Sequence, residues 1–187
     1  MATQIKVGLV VVVTGMVLIL AFVVLGAVPA KDEPRFDAAR LKDGSSWTQV
    51  NAEPYYVTPA VAAACAPVAG LASKKTIDPH DSTYITVYVN KIGRDAMFAK
   101  DVRRFPEGSI IVKQKFKTES PTRTPVLYTL MKKRERGYNP EVGDWEFSVV
   151  GPDGKQVQEI GKLENCESCH RGKSDTDFVY RPYVKPQ

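Results

Sequence analysis

The sequence predicts a mainly antiparallel β domain with a few short helices, preceded by one N-terminal transmembrane helix. Three observations predict it. The chain has 187 residues, 43% of them hydrophobic, which is room for one ordinary domain with a sizeable core. Several short runs of alternating β-branched and aromatic residues are separated by turn signals. Near the N-terminus, 24 consecutive residues (7–30) carry no charge. The hydrophobic content and the three cysteines exclude disordered, collagenous and disulfide-scaffold classes. A net charge of +5 without a dominant basic block argues against nucleic acid as a partner.

Taken in order, residues 7–30 read VGLVVVVTGMVLILAFVVLGAVPA. At about 1.5 Å per residue a helix of that length reaches roughly 36 Å, enough for a bilayer core of about 30 Å. A cleavable signal peptide is the rival, with Val28 and Ala30 before the cut. Its apolar region normally spans only about 7–15 residues, which favours the anchor. Both readings export the rest of the chain. The part after the segment is then periplasmic, with a single pass of the inner membrane through 7–28, or secreted into the periplasm if 1–30 are cleaved. Residues 31–56 read as a tether with a short helix at 36–41, and 57–187 as the domain.

Within that domain, 57–72 is Ala-rich and reads as a helix containing Cys65. TYITVYVN (83–90) alternates strictly and reads as a strand, and IGRDAMFAK (92–100) as a short helix. SIIVKQKFK (109–117), opened by FPEG, VLYTLMKKR (126–134), WEFSVV (145–150) and, after GPDG, KQVQEIG (155–161) complete the strands.

The chemistry sits near the C-terminus. Cys166-Glu167-Ser168-Cys169-His170 is CxxCH, the attachment signature of c-type haem. Two thiols three residues apart add across two vinyl groups of one haem, and the adjacent imidazole binds iron axially. A zinc site completed by Cys65 and His80, and a structural CxxC disulfide, are the competing readings. Export agrees with covalent haem. Only 17 residues follow His170, none of them Met or His, so a sixth ligand must lie upstream. Met97, Met131, His80 or a Lys are the candidates, and a vacant or water-filled sixth position is the preferred reading. An open iron site means ligand binding or chemistry, whereas closed ligation suits electron transfer. Met131 also reads as core, and His80, in DPHDS, as a turn or capping residue.

YITVYVN, GRDAM, FPEGSIIVKQK, LYTLMKKRERGYNPEVGDWEF and LENCESCHRGKSDTDFVY, in that order over roughly 76–184, resemble the cytochrome P-460 domain. The resemblance implies a mainly antiparallel β fold, usually a homodimer, with one covalent haem c held by Cys166, Cys169 and His170. In hydroxylamine-oxidising members a Lys is cross-linked to the haem, and by position that is Lys113. Those members also carry a distal Glu, whose place here falls near Thr129 or Leu130, where there is no carboxylate. The related cytochromes c′-β lack the cross-link and bind nitric oxide or carbon monoxide.

From the residues alone, Lys113 shares a strand face with Ile111 and Lys115, and an exposed face is the plain alternative to a pocket-lining one. Arg134, Arg136 and the two adjacent Lys read as a solvated face or a dock for an acidic partner. The expected function is a membrane-anchored periplasmic monohaem c-type cytochrome acting on hydroxylamine or nitric oxide. A soluble cytochrome or membrane redox complex would exchange its electrons. The alternatives are a non-catalytic gas-binding protein and an accessory electron-transfer subunit.

Overall fold

A row of alternating side chains sorts the sheet into two faces, and the face carrying Lys113 is the one that the CxxCH segment covers. The computed structural model describes residues 36–42, 44, 46–58, 84–101, 104–117 and 124–184. The chain divides into Met1–Glu33 and Pro34–Gln187, and every described residue belongs to the second unit. The predicted membrane segment, Cys65, His80 and residues 59–72 of the predicted helix lie outside the described residues. Among the described residues no helix is long and apolar enough to cross a membrane.

The strands are β1 (Trp47–Gln49), β2 (Tyr55–Tyr56), β3 (Tyr84–Asn90), β4 (Ile110–Phe116), β5 (Leu127–Lys133), β6 (Trp145–Val150) and β7 (Val157–Gly161). All pair antiparallel in the order β1-β3-β4-β5-β6-β7, with β2 also on β3. From β3 onward consecutive strands are neighbours, joined by the helix-bearing stretch 91–109 between β3 and β4, by 134–144 between β5 and β6, and by the short turn 151–156 between β6 and β7. The helices are α1 (Arg94–Phe98) and α2 (Glu164–His170), with 3-10 turns at Ala38–Lys42, Pro140–Val142 and Arg171–Thr176.

The stretch 31–56, read from sequence as a tether, supplies two short strands to the sheet. Asn51 explains why: its side chain donates to Ile85 O and accepts from Val87 N, taking the place of ladder bonds between β1 and β2. The helix expected at 36–41 is a 3-10 turn at Ala38–Lys42.

Alternation gives each face its content. On one, Ile85, Val87, Val89, Ile111, Met131, Trp145, Phe147 and Val149 are buried. On the other, Tyr88, Val112, Tyr128, Leu130 and Val150 are covered by Leu41, Phe36 and Trp47. Both faces are therefore covered over the middle of the sheet, and β6 is buried at all six positions. Its two polar side chains, Glu146 and Ser148, are buried as well, Glu146 as the partner of Arg134.

Candidate haem-binding site

Helix α2 places the CxxCH residues on one side of itself, because positions three and four apart share a helix face. Glu167, an unassigned position of the motif, docks the helix. Its carboxylate is buried and accepts from Asn139 Nδ2 at 2.8 Å and from Arg171 Nη2 at 3.2 Å. Cys166 packs against the buried cluster that contains Met131 and Phe147.

His170 is 9% exposed and held by three contacts. Its ring lies 5.2 Å from the Phe147 ring and 5.3 Å, edge-on, from Tyr180. Its Nδ1 is 2.6 Å from the carbonyl oxygen of Phe178. A carbonyl only accepts, so Nδ1 carries the proton and Nε2 bears the lone pair. That is the tautomer a metal-ligating histidine requires, with the orienting partner metal-bound histidines ordinarily have. Tyr180 in turn donates from its hydroxyl to Cys169 O at 3.0 Å.

Lys113 occupies the same face. It pairs with Val87 on β3 and Thr129 on β5, and Thr129 pairs with Val149 on β6. Lys113 Nζ and Lys173 Nζ lie 5.7 Å and 5.3 Å from the centre of the Tyr180 ring. Burial brings the Lys113 ammonium down to about 8, opposed by the nearby Cys166 sulfur. Burial pushes the Cys166 thiol up to about 11, against the pull of Lys115 and Lys113. A lysine poised near 8 is in part a neutral amine at mildly alkaline pH, able to act as nucleophile or proton carrier.

The sign of the resulting pH dependence is fixed. Between about 8 and the ordinary 10.5 the unfolded chain holds a proton on Lys113 that the folded chain has released, so its contribution to stability rises with pH across that window. Lys113→Met removes this part of the rise. Urea denaturation of both proteins between pH 7.5 and 10.5 checks it, with the gap in favour of Lys113→Met greatest at the low end. A constant gap contradicts it.

Met131 is 4% exposed, paired with Ile111 and Phe147, and belongs to the apolar wall. Met97 is fully buried in the same cluster. On β5, Thr129 and Met131 share the face of Lys113, whereas Tyr128 and Leu130 point to the opposite face with Val112 and Val150. Alternation along β5 decides this. The neighbours of Lys113 on β5 carry no carboxylate, and Glu135 is an exposed partner of Arg134.

Lys133 requires a correction. It is not part of a charged surface: it is 1% exposed, donates from Nζ to Asp177 Oδ2 at 2.5 Å, and lies 4.9 Å from the Trp145 ring centre. Arg134 is bound to Glu146 and Glu135. Sequence reasoning also missed Asn139, Glu167, Phe178 and Tyr180. Asp177 was visible only as the last residue of KSDTD.

These residues fit a haem bound through His170 Nε2, with Phe147 and Tyr180 beside the imidazole and Lys113 on the same sheet face, two strands from Phe147. Cys166 is not disulfide-bonded. The disulfide within CxxC is thus not formed. Among the described residues no group of three or more His, Cys, Asp or Glu is arranged to hold a metal ion, and two members of the zinc alternative lie outside them. The family model described as Cytochrome P460 matches residues 70–181. A comparison with curated proteins finds no match.

Proposed function

The chain belongs to the cytochrome P460 family, and from that premise we propose that it is a monohaem c-type cytochrome, anchored in the inner membrane by residues 7–28, whose periplasmic domain carries out redox chemistry on hydroxylamine or nitric oxide. The observation that carries the haem reading is the bond from His170 Nδ1–H to the Phe178 carbonyl, which leaves Nε2 as the ligand atom. Haem at this place supplies one-electron redox chemistry and an axial position for a small ligand.

The chain's own residues do the rest. Cys166 and Cys169 would hold the group by thioether bonds, and His170 would bind its iron. Phe147, Met131 and Val149 make the facing wall apolar, which excludes water and strengthens electrostatic interactions inside. Lys113 is paired into that face between Val87 and Thr129, and it would hold or pass a proton at Nζ. It is also our candidate for the family's cross-link. A soluble cytochrome or a membrane redox complex would exchange electrons with the domain, and a homodimer follows from the family.

The absence of a carboxylate beside Lys113 on β5 favours a second reading, a gas-binding protein of the c′-β kind without turnover. Spectral titration of the purified holoprotein separates the two. Capture of nitric oxide or carbon monoxide by the reduced form is expected in both, and hydroxylamine-dependent reduction of an added acceptor only in the first. Low-spin bands that none of these ligands moves would contradict both.

A further inference from the structure

The turn that presents the Phe178 carbonyl is built against its own backbone preference. Asp177 and Phe178 are consecutive non-glycine residues with φ of 51° and 64°. Left-handed backbone at a non-glycine residue is disfavoured and persists only where its surroundings hold it. The Asp177 carboxylate accepts from Phe105 N at 2.6 Å and from Lys133 Nζ, and the Asp177 carbonyl accepts from Trp145 Nε1 at 2.8 Å. Gly143 lies against the Phe178 ring, where a Cβ would stand 2.6 Å from Cδ2. The one outward product of this clamp is the carbonyl that His170 Nδ1 addresses.

A buried lysine is an expensive way to hold a turn, since replacing a buried ion pair by apolar residues is often neutral or stabilising. Its effect on the carbonyl gives it a use. We propose that the Lys133–Asp177 ion pair is a positioning device for His170, fixing the Phe178 carbonyl and thereby the orientation and basicity of the axial imidazole. The proposal rests on the reading of His170 as the iron ligand. Lys133 and Asp177 touch neither iron nor substrate. A donated Nδ1–H bond raises the electron density that the imidazole gives to iron and favours the ferric form. Loosening the clamp therefore favours the ferrous form.

The test is the reduction potential of the holoprotein, with the iron–histidine stretching vibration of its ferrous form. In Lys133→Met and in Asp177→Ala the ferric–ferrous equilibrium is expected to move about tenfold toward ferrous, which for one electron is about 59 mV upward. The vibration falls with it. Asp177→Asn keeps an acceptor oxygen for both donors and is expected to stay near wild type. Gly143→Ala sets a Cβ against the Phe178 ring and, at 2.9 Å, against Asp177 Oδ1, so it disturbs the turn and its clamp together and is expected to shift the potential the same way. Should Lys133→Met fail to fold, Asp177→Ala decides, because a buried lysine without a partner sheds its proton. Lower stability with potential and vibration unchanged in Asp177→Ala and Gly143→Ala would overturn the proposal. A wild-type protein lacking the iron–histidine vibration would instead sink the reading of His170.

Discussion

His170→Ala is expected to give a folded protein that still carries attached haem through its cysteines but has lost axial ligation, with nitric oxide affinity or hydroxylamine turnover lowered by more than about 100-fold. Partners that merely orient a metal ligand already contribute about 10–100-fold, and the ligand itself contributes more. The fold should survive because the ring is at the edge of the core, touching Phe147 and Tyr180 rather than filling a closed cavity. Exogenous imidazole is expected to restore much of the spectrum by occupying the space the ring left. The absorption spectrum with and without imidazole checks this, and an unchanged spectrum in His170→Ala would show that iron is held elsewhere.

Trp145→Ala is expected to be the most destabilising single truncation of the sheet, by about 3–5 kcal/mol. Three losses coincide there. The indole is fully buried, stacked edge-on against Phe105 at 5.5 Å between centres. Its Nε1 is the donor to the Asp177 carbonyl, which would be left buried and unsatisfied. Its face also lies beside the Lys133 ammonium, so the buried ion pair loses a favourable neighbour. Ile160→Ala, at a side chain 60% exposed on the edge strand β7, should change stability by less than about 0.5 kcal/mol. Urea midpoints of the two variants measure the contrast, and comparable values would mean that the core is not organised around Trp145.

The two predictions draw on parts of the chain that differ in how far they could be read in advance. Strands β3 to β7 are legible because their residues alternate or run apolar between turn residues, and those local patterns do not depend on a distant partner. Strands β1 and β2 are too short to show a period. They are held by Asn51, whose bonds reach 34 and 36 residues along the chain. The CxxCH motif is legible since its chemistry requires fixed spacing in one helix. Lys133 was misread because KKRER has the composition of a solvated hairpin end, and its partner Asp177 is 44 residues away. Its direction follows from alternation: Met131 and Lys133 share a face, so a buried Met131 already implies an inward Lys133. The orienting carbonyl of Phe178 had no signal in the side-chain pattern, since it depends on backbone φ at Asp177 and Phe178.

The central claim is that this domain holds one haem covalently through Cys166 and Cys169. Intact mass of the denatured protein, expressed with haem-attachment machinery, tests it most directly beside Cys166→Ala/Cys169→Ala. The account predicts the polypeptide plus a single haem for the wild type, resistant to extraction with acidified organic solvent, and bare polypeptide for the double variant. A wild-type mass of bare polypeptide, or haem that the solvent removes, would contradict it.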